Sequence, residues 1–226
     1  MHKKVTNIEN KHVIHFPFFM NMIPLAKLHK SQIVFCIEIK NEYAGYLQNV
    51  ELYGKKYTLK DNNMRHSLIQ EQKEYMIIQT QLMSESIKSG VCSYCLPFNH
   101  PVFLLYFSGI DKTKIKNITL MFDNKIIFNK NNDEHDDTTE IFYDDTTKIF
   151  YKDNYNGIES NIIIFGDDFN KNNLYLNSTK NFSTIDKAIL KIYTDEINAD
   201  SEINISVMNY NTLYYASGKA GLTFSR

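Results

Sequence analysis

The 226-residue sequence predicts an all-β sandwich. Short runs in which apolar and polar residues alternate recur along the chain, separated by turn-forming residues. Phe and Tyr, at 15 each, join plentiful Ile, a composition that suits pleated sheets, while Ala is scarce. Only one stretch has a convincing helical period.

Taken in order, residues 13 to 24, VIHFPFFMNMIP, are apolar but broken by Pro17 and Pro24, as in an edge or bulged strand. Residues 32 to 40 predict a strand with Ile33, Phe35, Ile37 and Ile39 on one face and Cys36, a small buried residue, on the other. Residues 48 to 59 predict a strand or tight hairpin around Gly54. Asp61-Asn62-Asn63 offers N-cap side chains, and Leu68, Gln72, Tyr75, Met76 and Gln79 share a helical face. A helix is therefore expected over about residues 64–81. The small, polar stretch SESIKSGVCS then predicts a linker, placed at residues 83–95.

Val102 to Phe107 is a fully apolar run, expected as a buried strand. Two further strands over residues 115 to 128 flank a turn at Asp123-Asn124. A tandem octapeptide follows, DDTTEIFY (136–143) and DDTTKIFY (144–151), too few copies for a solenoid and read as a duplicated surface loop or hairpin. Residues 161–165, 174–176 and 185–194 predict strands. At the end, Ile203, Ile205 and Val207 alternate with polar partners; a polar break at Asn209-Tyr210-Asn211 precedes Leu213-Tyr214-Tyr215. Gly218 and Gly221 then bend the backbone before Leu222 and Phe224. A chain ending in strand must pair that strand into a sheet.

A formal net charge of -1 gives no global field toward nucleic acid, so direct nucleic-acid binding is not expected. Three cysteines, Cys36, Cys92 and Cys95, cannot all pair within one chain, and the N-terminus lacks a signal-peptide core. No apolar run reaches the length of a transmembrane segment. A soluble chain from a reducing compartment is expected, so four sequons, at Asn117, Asn177, Asn181 and Asn204, read as chance.

Cys92-Ser93-Tyr94-Cys95 is a C-x-x-C that could serve as half a zinc site, with His100 or His135, or as a redox pair. No second C-x-x-C accompanies it. Asp133-Glu134-His135-Asp136-Asp137 and Asp167-Asp168 lack spaced calcium-loop geometry and read as solvated acidic loops. His12, His15, His29 and His66 have no nucleophile motif beside them. Gly218-Lys219-Ala220-Gly221 is not followed by a helical pattern, so it is no phosphate loop. No catalytic, cofactor-binding or metal-binding residue is expected.

Four stretches carry a family resemblance. Phe16-Pro17-Phe18-Phe19 with Ile23-Pro24-Leu25-Ala26, and the strand to Glu38, open it; Val50 to Gln79, with Lys73-Glu74-Tyr75-Met76-Ile77-Ile78-Gln79, follow. Leu96-Pro97-Phe98-Asn99-His100-Pro101-Val102 matches a Phe-Asn-His-Pro-Val segment, and Asn181-Phe182-Ser183-Thr184-Ile185-Asp186 an Asn-Phe-Ser-Arg-Ile-Asp segment. Together with the Asn-Tyr-Asn and Ser-Gly tail, these resemble, in order and spacing, the major capsid proteins of the nucleocytoplasmic large DNA viruses.

The resemblance implies two tandem jelly rolls, three chains per pseudo-hexagonal capsomer and capsomers tiling an icosahedral shell. By it, residues 1–82 correspond to the late strands and helix of a first jelly roll, and 96–226 to a complete second. The chain is expected to be an N-terminally truncated or split member, a minor capsid protein or a decayed paralogue. It departs from the family pattern over residues 129 to 160 and at Thr184, where the family has Arg. The implied function is structural, in the capsid of a virion assembled in host cytoplasm, as a homotrimer or a mixed capsomer with other capsid proteins. A second reading is a jelly-roll module binding glycans or partners through the loop 131–155, and a third a Cys92/Cys95 redox enzyme.

Overall fold

The computed structural model describes residues 5–8, 11–14, 25–28, 30–34, 51, 53, 57–131, 140–143, 148–155, 158–166, 179–197 and 201–224. Expected strands at 35–40, over most of 48–59 and at 174–176 lie outside these residues, as do Cys36 and residues 15–24. Residues 31–34 and 57–60 are described and hold no regular structure.

The chain divides into two compact units, Met1–Tyr75 with Thr212–Ser225, and Met76–Asn211 with Arg226. In the first, β1 (Val5–Ile8) and β2 (Lys11–Ile14) pair antiparallel. One turn of 3₁₀ helix follows at Leu25–Leu28. Helix α1 spans Asn62–Gln70, started by the Asp61 carboxylate, which accepts from the Asn63 and Met64 N–H groups. The Lys27 ammonium, almost fully buried, donates to the Glu71 carbonyl at 2.8 Å and its carboxylate at 3.2 Å. That places a cation at the C-terminus of α1, where the last carbonyls need donors.

The expected helix over 64–81 is corrected: α1 stops at Gln70, and β3 runs over Lys73–Ser86. Tyr75, Ile77, Gln79, Gln81 and Met83 lie on the less exposed side of this strand, alternating with exposed Met76, Thr80, Leu82 and Ser84, while Ile78 is half-buried as well. The same residues carry a partial helical period, but pairing with a distant strand decides the outcome over local propensity. The expected linker over 83–95 is likewise β-structure, since β3 reaches Ser86 and β4 covers Gly90–Cys95. Ile87, in the turn between them, is fully buried.

The second unit is the sandwich. In chain order, β5 (Pro101–Ser108), β6 (Ile115–Phe122), β7 (Lys125–Asn131), β8 (Glu140–Tyr143), β9 (Lys148–Tyr155), β10 (Ile158–Phe165), β11 (Lys180–Asn181) and β12 (Ala188–Thr194) follow β4. They lead to β13 (Glu202–Ala216), which leaves this unit at Thr212, and to the closing β14 (Lys219–Leu222), which belongs to the first unit. Among the described residues, one sheet has the order β4-β12-β6-β7 and a larger one β14-β13-β5-β10-β9-β8, with β3 on β13 and β11 on β5. The pairs β5–β10, β9–β10, β4–β12, β6–β12, β5–β13, β6–β7 and β8–β9 are antiparallel, and neighbours such as β4 and β12 are far apart in sequence. This is a jelly-roll β-sandwich, as the sequence predicts.

Its core lies between the sheets. Leu105, Phe107, Ile163, Ile205 and Val207 face Ile118, Leu120, Leu190 and Ile192, all fully buried. Each such side chain contributes about 1.5–3 kcal/mol on burial. Phe182 closes one side of this core, edge-on to Phe122 (5.2 Å) and Phe165 (5.9 Å). The larger sheet is apolar on its other face too, where Phe103, Leu104, Ile162, Ile164 and Tyr210 cluster with Ile78 and Met208. Burial on both faces explains why Val102 to Phe107 does not alternate.

The turn at Asp123-Asn124 has both residues at positive φ, 48° and 67°, the geometry of a two-residue type I′ hairpin. The expected polar break at 209–211 is corrected as well: β13 runs unbroken through Asn209, Tyr210 and Asn211, all buried. A register shift at Met208/Asn209 marks a bulge rather than an end. As expected, the chain's closing segment is paired, Leu213 to Ala216 against Lys219 to Leu222.

Candidate functional site

The C-x-x-C lies inside β4, with Cys92 opposite Ile192 and Cys95 opposite Ile189. Residues three apart in a strand point to opposite faces and sit about 10 Å apart. A disulfide needs Cα atoms within about 7 Å, so this pair cannot close one without dismantling β4. Cys92 turns toward the core, its thiol donating to the Lys88 carbonyl at 3.3 Å, whereas Cys95 is exposed. Among the described residues no group of three or more His, Cys, Asp and Glu could hold a metal. His135, residues 133–137 and Asp167-Asp168 lie outside the described residues, as do His15 and His29. His66 is an exposed residue of α1.

His100 has a structural task. Its backbone takes a positive φ of 73°; its N–H donates to the Ser183 hydroxyl at 2.8 Å, and its carbonyl accepts from Phe182 N–H at 3.0 Å. Lys180 and Asn181 pair with Val102 and Pro101. The Asn181 side chain accepts from Ser183 N–H at 3.1 Å, holding the 3₁₀ turn that sends Phe182 into the core. The segments Phe98–Val102 and Asn181–Asp186, read separately in the sequence, therefore form one junction.

Gly218, at φ 83°, follows Ser217, at φ 52°, in the β13–β14 hairpin, and its carbonyl accepts from Lys30 N–H at 2.8 Å. Gly221 sits opposite Tyr214, whose ring would lie 3.0 Å from an added Cβ. Both glycines serve the hairpin rather than a phosphate loop. The two octapeptide copies pair with each other: Glu140 to Tyr143 of the first run antiparallel to Lys148 to Tyr151 of the second. This is the hairpin form of the expectation, and it occupies the end of the larger sheet's strand order.

The sequence reading missed a cluster of amides. Gln81 donates to the Asn99 carbonyl (2.9 Å) and the Asn209 side-chain oxygen (3.0 Å), and accepts from Asn99 N–H (3.2 Å). Asn211 donates to Gln79 at 2.8 Å, and Asn209 to the Tyr210 carbonyl at 3.1 Å. The i, i+2 spacing of Gln79 with Gln81 and of Asn209 with Asn211 was the available signal. No fully buried side-chain nitrogen or oxygen among the described residues lacks a partner.

The outer face of the smaller sheet is ordered in rows. Cys95, Ile189, Met121 and Ile126 align in one row, Ser93, Lys191, Thr119 and Asn129 in the next, and Val91, Tyr193, Asn117 and Asn131 in the third. Asn117 donates to Asn129 at 3.0 Å and to Asn131, and the Thr119 hydroxyl lies 2.8 Å from the side-chain oxygens of both Asn117 and Asn129, its one proton shared between them. Burial pushes the phenols of Tyr94, Tyr210 and Tyr215 above their ordinary range. The Asp111 carboxyl is held below its own range by the Thr113 N–H that it caps. These groups stabilise strands and turns, and none gathers into a reacting constellation.

No family model and no curated protein matches the chain. Solved structures do. PBCV-1 VP54, in a crystal structure fitted into a cryo-EM reconstruction of the virophage Sputnik, aligns with a TM-score of 0.53 at 16% identity, covering 74% of this chain. A quasi-atomic model of the PBCV-1 virus capsid aligns with a TM-score of 0.59 at 16% identity, covering 98% of this chain and 74% of that one. The fold is that of a large DNA virus major capsid protein. This chain spans 55% of the matched VP54 chain. Among the described residues no helix is long and apolar enough to cross a membrane.

Proposed function

We propose that this chain is a structural component of a large icosahedral DNA virus capsid and reaches the virion as such. The observation that carries the reading is a jelly-roll sandwich whose alignment with the PBCV-1 capsid model covers 98% of the chain. Among the described residues the polar side chains named above cap, register and turn strands, which suits a building block. On this reading residues 96–226 hold the second jelly roll of a tandem pair and residues 1–82 the end of the first. Capsomers would form from three copies, or from this chain together with other capsid proteins, without direct contact to the genome.

Quantitative mass spectrometry of purified particles tests it. Peptides from both the 1–82 and 96–226 segments should co-purify with the capsid shell and stay with it when the genome is released. Their absence from particles made in cells that express the chain would overturn the proposal.

A further inference from the structure

We propose that the outer edge of β4 is where a second copy of this chain adds, strand to strand, extending the smaller sheet across a two-fold axis. Among the described residues β4 pairs with β12 alone, at the end of the strand order. One step beyond Cys95 and Ile189, the Leu96 N–H donates to the carbonyl of Ala188 opposite it, which marks a hydrogen-bonded pair. Such pairs alternate along an antiparallel ladder. Tyr94, Cys92 and Gly90 therefore turn their backbone groups to β12, whereas Val91, Ser93 and Cys95 turn theirs outward. The same three residues carry the exposed side chains of the strand. No charge, proline or bulge lies between Gly90 and Cys95, so the usual defences of an edge strand are missing from it.

A two-fold axis perpendicular to the sheet keeps every side chain on its own face, so an outward residue of one copy meets an outward residue of the other. Centred on Ser93, the pairing sets Val91 opposite the partner's Cys95 and Ser93 opposite its own equivalent. Every outward N–H and C=O of these residues then finds a partner. Sliding the copy by two residues one way sets Val91 opposite Pro97, which has no N–H; sliding it the other way sets Cys95 opposite Ser89, in the bend before the strand. The centred register is also matched in kind. Small apolar Val and Cys face each other, and the two Ser93 hydroxyls meet at the axis, a favourable cross-strand pair. Because the seam carries no charge, a copy of the same chain meets no like charge there. A contact this short is weak singly and gains strength when many copies are held together. It follows from β4 and its register, and does not rest on the capsid reading.

Oxidative cross-linking of the full chain, with Cys36→Ala throughout, tests both the contact and its register. Hydrogen-bonded partners across the axis stand about 5.5 Å apart between Cα atoms, within the range of a disulfide. Residues 91 and 95 of one strand are about 13 Å apart and cannot close one within a chain. Val91→Cys should therefore give a covalent dimer while Cys95 is present and lose it when Cys95→Ser is added. Ser93→Cys should give one with Cys95→Ser in place. Cys95 without either change should give little, because the two copies' Cys95 lie about 13 Å apart along the paired strands. Ser93→Pro spares the ladder to β12, since the Ser93 N–H points away from it, and should cut the yield of the Val91→Cys dimer about tenfold by removing the central bonds. Covalent dimers absent from Val91→Cys and Ser93→Cys alike, or as abundant without Cys95 as with it in Val91→Cys, would sink the proposal. So would a dimer formed as readily through Cys95 alone, or a Ser93→Pro chain of unchanged melting that cross-links as well as its parent.

Discussion

Gln81 and Asn209, 128 residues apart in the chain, are joined by a side-chain hydrogen bond of 3.0 Å, and Asn209 is fully buried. The amide of Gln81 also grips both backbone groups of Asn99, so one side chain ties β3 to β13 and to the segment entering β5. Replacing it leaves the buried amide of Asn209 and the half-buried backbone of Asn99 short of partners. Gln81→Leu should therefore destabilise the fold by about 1–3 kcal/mol. Adding Asn209→Leu should cost less than the sum of the single changes, because both ends of the bond are then removed. Urea denaturation of the four chains in this cycle measures the coupling; strict additivity would contradict a direct bond.

Gly109 sits at φ 98°, where a Cβ would lie 2.3 Å from the Glu202 carbonyl oxygen. The contact is with backbone, so no rotamer change can relieve it. Gly109→Ala combines a disfavoured backbone conformation with a steric clash and should cost about 3 kcal/mol or more. A loss of soluble folded chain, or a melting point lowered by many degrees, is the expected result. A variant melting with the wild type would show that β5 and β13 approach less closely than this.

Asn124, at φ 67°, is the second central residue of the β6–β7 turn. Asn tolerates that conformation better than most residues, and Gly tolerates it best. Asn124→Val should destabilise by about 1–2 kcal/mol, whereas Asn124→Gly should be neutral or slightly stabilising. Asp123 is less replaceable than its turn position alone implies. Its carboxylate accepts from Lys187 N–H at 2.8 Å, and its N–H donates to the Lys187 carbonyl at 2.9 Å, tying the turn to the entry of β12. Comparing thermal melts of the wild type and the two Asn124 variants measures the backbone strain at this turn; equal effects of Val and Gly at 124 would count against the turn assignment.

The parts of the fold legible in the sequence are those where local pattern and tertiary environment agree. Ile118, Leu120 and Phe122 alternate and are buried in alternation, and Asp123-Asn124 turns where a turn residue stands. Misreadings came where polar side chains were spent inside. In sequence, Gln79 fits the shared face of a helix ending at about residue 81, and Asn209 and Asn211 look like a break in a strand. Each in fact faces a partner more than a hundred residues away, information that no local window holds. Cys92 and Cys95 were a plausible pair on spacing alone. Spacing acquires chemical meaning only through backbone geometry, and an extended strand separates what a turn would have joined.

The buried phenols set how the protein responds to alkali. Tyr94 is raised chiefly by burial and then by its hydrogen bonding to Cys92; Tyr210 is raised by burial, and Tyr215 by burial and by Tyr75 beside it. The folded chain therefore holds these protons above the ordinary tyrosine value of 10.0, at which the unfolded chain releases them. Above that pH the unfolded state binds fewer protons than the folded state, so stability falls as pH rises. The contribution is complete below pH 10.0 and is lost as pH climbs toward the raised folded values. Melting temperature should be nearly level from about pH 8 to 9.5 and should decline steeply beyond, given tyrosine's ordinary ionisation near 10. Tyr94→Phe removes the most strongly shifted phenol, together with its 3.3 Å bond to the Ser86 carbonyl, so it should lower stability modestly at neutral pH. The same variant should flatten the alkaline decline, so that the curves for wild type and variant converge at high pH. Parallel curves across that range would mean that Tyr94 ionises as readily in the folded chain as in the unfolded one.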